Sequence, residues 1–229
     1  MGFSPAAYDA VITKIQNGIQ QIANDVNHFI SEVESDTGWI PVLGGWIKDA
    51  LNRLVKLIDE GLDKLSQLLE PAFIPTFFWT FGGMWEQMGG QAGTVSSTIA
   101  GQIQANGDEW QGIAGGAYAN GVPAQGNAAN TISSLAGQVQ SACSSISTSG
   151  YIFYMAVAVA VASLIAAVVG AGTGALPVVI GAAVVFIASI ATAVGSLLLG
   201  VDSAARNLQG MIGPSGSFPN GAWPIATAQ

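Results

Sequence analysis

The chain has 229 residues, half of them hydrophobic and only 9% charged. A soluble domain averages about 25% charged residues, so neither an ordinary cytosolic enzyme nor a disordered chain fits this composition. Fourteen acids against six bases give a net charge of -8, which makes nucleic acid a poor partner.

One cysteine, Cys143, rules out an internal disulfide framework and a cysteine-rich zinc site. One histidine, His28, leaves little room for histidine-based metal or triad chemistry. The first twenty residues lack a continuous apolar core, so no cleavable signal peptide is expected. Ala6 breaks the myristoylation pattern that Gly2 would begin.

Ser4-Pro5 reads as an N-cap with proline in the first helical turn. Ile12, Ile15, Ile19, Ile22, Val26, Phe29 and Val33 follow at spacings of 3, 4, 3, 4, 3 and 4. This is a heptad seam, and its neighbours are mostly polar. Two uses stay open: bundling with the next helix of the same chain, or gathering copies. Ile at both core positions favours trimers or larger assemblies over dimers. His28 beside the seam reads as a solvated or capping side chain.

Ser35-Asp36-Thr37-Gly38 stops that helix, and an apolar loop follows at 39–45. A second amphipathic helix is predicted over 46–69. Ile47, Leu51, Leu54, Ile58, Leu62, Leu65 and Leu69 mark its apolar face. Asp49/Arg53 and Glu60/Lys64 pair at i, i+4 on the other face, which reads as solvated surface and not as acid/base machinery.

Pro71 and Pro75 end this helix. Six of the nineteen aromatic residues then fall within 73–85. Phe77, Phe78 and Trp79 read as a membrane-interface wedge, and the same cluster could equally fill a core between helical layers. Residues 82–150 are rich in Gly, Ala, Ser, Gln and Thr. They predict a helix to about 107, a short break at 108–112 and a second small-residue helix that Pro123 interrupts or kinks.

From 110 to 201 there is no Asp, Glu, Lys or Arg. Two apolar segments, 151–169 and 176–199, each reach the roughly 20 residues that cross a hydrocarbon core. A Gly-rich link at 170–175 makes them antiparallel, with membrane lipid as the expected surroundings. Tyr151 and Tyr154 read as interfacial anchors at the start of the first span. Ser163, Ser189, Thr192 and Ser196 could bond across helices, line a narrow pore, or bond back to their own helix carbonyls. A buried hairpin in a soluble oligomer is the competing reading of the whole segment. The residues after 200 read as an irregular tail, with Phe218 and Trp223 available to pin it.

Between the two small-residue helices stands Trp110-Gln111-Gly112-Ile113-Ala114-Gly115-Gly116-Ala117-Tyr118. Gly suits a tight corner, and Trp fills the space between antiparallel arms. Here the chain resembles the WXG100 (ESAT-6-like) family over about 70 residues, with Trp110 and Gly112 as its W-x-G pair. The resemblance implies a dimerising helical hairpin, a WXG100-type hetero-partner and export by a type VII secretion system. Two departures stand out. The family is shorter and soluble, and Tyr118, Tyr151 and Tyr154 all lack the acid four residues on that its export signal needs.

The expected architecture is therefore all-α: an amphipathic helical hairpin (1–70), a WXG-type helix-turn-helix (71–150), a two-helix transmembrane hairpin (151–200) and a tail (201–229). No catalytic, cofactor-binding or metal-binding constellation is visible, and no enzyme activity is expected. The expected function is a self-assembling, membrane-inserting protein, pore- or channel-forming, linked to bacterial type VII secretion. A non-conducting anchored scaffold and a soluble export substrate with a partner-covered hairpin are the alternatives. The place is the membrane or the cell envelope.

Overall fold

The computed structural model describes residues 3–37, 44–106, 112–171, 175–210, 218 and 222–224. Among them are five α-helices, one short 3-10 turn and no strand. The helices are α1 (Pro5–Thr37), α2 (Gly44–Leu69), α3 (Ile74–Asn106), α4 (Ile113–Val169) and α5 (Leu176–Gln209). The 3-10 turn, Glu70–Phe73, joins α2 to α3.

Local chemistry explains several boundaries. The Ser4 carbonyl accepts the first helical bond, from the Tyr8 amide at 2.9 Å, and Pro5 follows in the first turn. Pro71 leaves helical geometry at φ -83, ψ 15. It lacks an N–H, as does Pro75, so carbonyls near this kink need partners from elsewhere.

Two boundaries differ from those expected. Pro123 lies inside α4 without ending it, and α4 runs on through residue 150 for 57 residues in all. The small residues around 150 carry no helix stop signal. The tail also begins later than expected, because α5 continues to Gln209. There Arg206 pairs with Asp202 one turn back, which supports a helical end.

The chain forms two compact units. One combines Met1–Thr76 with Ser147–Val201, and the other combines Phe77–Ile146 with Asp202–Gln229. The amphipathic pair, read from sequence as separate, thus shares a unit with the apolar hairpin. Its core joins all four helical segments: Ile15, Ile22, Phe29 and Val33 of α1, Leu54 and Leu65 of α2, Val157 and Leu164 of α4, Val179 and Phe186 of α5. Each fully buried side chain of this size contributes about 1.5–3 kcal/mol.

The second unit is built on close backbone approach. Along α3, Gly82 faces Cys143, Gly89 faces Ala136, and Gly93 faces Ser133, all on α4. A Cβ on Gly82 or Gly89 would lie 3.1 Å from the facing side chain. Ala142, Ile146 and Ala204 form a small core there, with Phe78 and Leu208 packed on it.

Candidate functional site

The segment with the most unusual chemistry is the hairpin of α4 and α5 over 151–199. Both helices are long and apolar enough to cross a membrane. No acid or base lies between residues 110 and 201. One face of the hairpin is covered by α1 and α2, and the other is open.

The covered face rests on two glycines. Gly18 sits among the seam residues of α1, between Ile15 and Ile22. A Cβ built there would overlap the Cγ1 methyl of Val161 on α4. Gly61 holds the matching place on α2, between Ile58 and Leu65, and a Cβ there would lie 2.8 Å from the Phe186 ring on α5. Each amphipathic helix therefore lays bare backbone against one hairpin helix. Sequence reasoning passed over both glycines. Their signal was a glycine beside an unbroken apolar seam, three residues after Ile15 on α1 and three after Ile58 on α2.

The seven seam residues are all drawn into this contact. Ile15, Ile22, Val26, Phe29 and Val33 are buried, and Ile12 and Ile19 pack partly buried on the same core. Of the two uses left open for this seam, the packing within one chain is the one seen here: its partners are helices of the same chain. Periodicity identified the apolar face but not what would cover it.

One end of the contact is closed by aromatic rings. Phe3 and Tyr8 pack against Tyr151 with centroids at 6.2 and 6.5 Å, and Tyr8 against Tyr154 at 5.6 Å. The Tyr154 hydroxyl donates to the Leu68 carbonyl at 2.6 Å, and the Tyr8 hydroxyl to the Ala72 carbonyl at 2.5 Å. Both acceptors flank the Pro71 kink, where the backbone ladder is interrupted. Burial pushes the Tyr8 phenol well above its ordinary value, with the neighbouring Tyr154 adding to the shift. Pro75 then caps the cluster, its ring against Gly150 at 2.5 Å from a Cβ position there. In this fold Tyr151, partly buried, and Tyr154, buried, pack onto the shared core of the four helical segments. Tyr154 is only 4% exposed.

The open face carries large apolar side chains in contact with solvent. Val159 is 62% exposed, Val185 64% and Ile152 60%. Two shallow grooves run between α4 and α5 here and share Ala156, Val185 and Ser189. Ser163, Ser189, Thr192 and Ser196 lie along them. Each hydroxyl donates to the carbonyl four residues back on its own helix, at 2.8–3.2 Å. None bonds across the hairpin, so the row is polar but locally satisfied.

In the second unit the predicted aromatic wedge divides. Phe77 and Trp79 are exposed, while Phe78 turns onto the small core. Phe77 and Phe81 stack at 5.9 Å, and Phe81 meets Trp85 edge-on at 6.1 Å. Gly112 adopts φ +93, a backbone that glycine alone accepts easily. Trp110, its predicted companion, lies outside the described residues. Cys143 is buried, and burial pushes its thiol up. Gln125 bonds the Pro224 carbonyl at 3.2 Å, and Phe218 and Trp223 pack ring to ring. Among the described residues no group of three or more metal-ligating side chains occurs.

Compared with protein-family models, curated proteins and solved structures, the chain matches none.

Proposed function

We propose that the protein inserts its α4–α5 hairpin into a lipid bilayer and assembles there with further copies, forming a pore. The observation that carries this reading is the open hairpin face, where Val159, Val185 and Ile152 meet water on a segment without a single charge. Large apolar side chains exposed together mark a surface meant for lipid or protein. The helices satisfy their own backbone groups, as a spanning segment must.

Conduction is supported by the hydroxyl row along the grooves. In a ring of hairpins this row would give a mildly polar lining. Copies would meet through the hairpin itself, where small residues permit close helix contact. The bacterial export setting rests on the Trp110–Tyr118 resemblance together with the positive φ of Gly112.

Dye release from liposomes of anionic and zwitterionic lipid tests the proposal. Release that rises with protein concentration supports a pore. Binding to floated liposomes without release selects the anchored scaffold instead. A discrete, detergent-free oligomer that ignores liposomes selects the covered export substrate.

A further inference from the structure

We infer that α1 and α2 are a removable cover on the hairpin, clasped at one end by Tyr154, and that the hairpin enters lipid only after this cover leaves. The inference rests on the membrane-inserting reading above and adds the step that must precede insertion.

The geometry leaves the hairpin no way to span a bilayer while covered. Gly18 meets α4 at Val161, near the middle of the 151–169 segment, and Gly61 meets α5 at Phe186, near the middle of 176–199. Charged residues travel with both glycines. Lys14 lines the same cleft as Gly18 and Val161. Asp59, Glu60, Asp63 and Lys64 surround Gly61 in sequence, and Glu60 pairs with Lys64 at 2.8 Å on the exposed side. With the cover in place these groups would lie at hydrocarbon depth, where ionised side chains are strongly disfavoured. The covered form suits water, and the uncovered hairpin suits lipid.

At the two glycine crossings the cover presents backbone to the Val161 methyl and the Phe186 ring, and the rest of the contact is apolar side-chain packing that lipid can replace on the hairpin side. Two hydroxyl-to-carbonyl hydrogen bonds fasten one end. There Tyr154 of the hairpin reaches the Leu68 carbonyl of the cover, and Tyr8 ties α1 to the 3-10 turn after α2 through Ala72. The cover helices are thus joined to each other as well as to the hairpin, and can leave as a pair.

A disulfide lock tests the cover. The Cβ built on Gly18 lies 3.7 Å from the Val161 Cβ, within the range of about 3.5–4.5 Å that disulfides adopt. In a Cys143→Ser background, Gly18→Cys with Val161→Cys should oxidise to a locked form. Liposomes of phosphatidylglycerol and phosphatidylcholine then report insertion by flotation and dye release. The locked protein is expected to lose insertion, and reductant to restore it to the level of the unlocked background. Equal insertion before and after reduction would overturn the cover while leaving the membrane reading intact. Absence of liposome binding by the unaltered protein would overturn both. A second variant needs no cross-link. Tyr154→Phe keeps the ring and removes one hydrogen bond, so insertion should start about five-fold faster with the same final extent. An unchanged rate would overturn the clasp.

Discussion

Gly18 of α1 and Val161 of α4 meet so closely that no side chain fits between them. Adding a methyl there forces the helices apart. Gly18→Ala should therefore destabilise the first unit by about 1–3 kcal/mol through overpacking. Gly61→Ala should act in the same direction against the Phe186 ring. Gly181 on α5 has no atom within 4 Å of its Cβ position, so Gly181→Ala should stabilise by about 0.5–1 kcal/mol through helix propensity. Thermal melts followed by circular dichroism would read the opposite signs. Unchanged or raised stability in Gly18→Ala and Gly61→Ala would contradict the crossing.

Tyr8 should make the fold sensitive to alkali. Its folded pKa is raised above the ordinary value of 10.0 by burial. The protonated phenol is the form the fold favours. Its contribution is complete below pH about 10 and drains away as pH rises, with a slope of up to about 1.4 kcal/mol per pH unit. Tyr8→Phe should lower stability near pH 8, because the Ala72 carbonyl loses its donor, and should flatten the alkaline limb. Urea melts from pH 8 to 11 would check both effects.

Gly112 holds φ +93. Gly112→Ala should cost about 1–2 kcal/mol, the usual strain of a left-handed backbone at a residue with a Cβ. Gly112→Asn should cost less. Hydrogen exchange along α3 and the first part of α4 would locate the loss. An unperturbed Ala variant would mean that this corner tolerates another conformation.

The hydroxyl row separates stability from conductance. Ser189→Ala and Thr192→Val remove bonds that stay within one helix, so the melting temperature should move by no more than about 0.5 kcal/mol equivalent. In a pore lined by this row, single-channel conductance should fall. Bilayer recordings of the paired variant against the unaltered protein would decide.

Much of the fold could be read from the residues, and the failures share one cause. Ser4-Pro5, the seam from Ile12 to Val33 and the Pro71 break are local signals, and each lies where the spacing placed it. Non-local partners left no such trace. Tyr151 and Tyr154 head an apolar run, which in one dimension is the pattern of an interfacial anchor. Their actual neighbours are Phe3, Tyr8 and the Leu68 carbonyl, over eighty residues away beside the Pro71 kink. Likewise the seam announced an apolar face without naming the hairpin that fills it. The continuous α4 was missed because a residue-poor sequence of Ala, Ser and Gly offers neither a cap nor a strong break.

The burial of the α1 seam has a consequence for timing. Ile15, Ile22, Phe29 and their neighbours are adhesive in any aqueous setting, yet within the folded chain they are spoken for. If the hairpin departs into oil, those same side chains lose their companion at one stroke and become free to recruit siblings. A molecule built on this plan would stay solitary in solution and turn gregarious only at its destination, without needing a separate trigger for the second act.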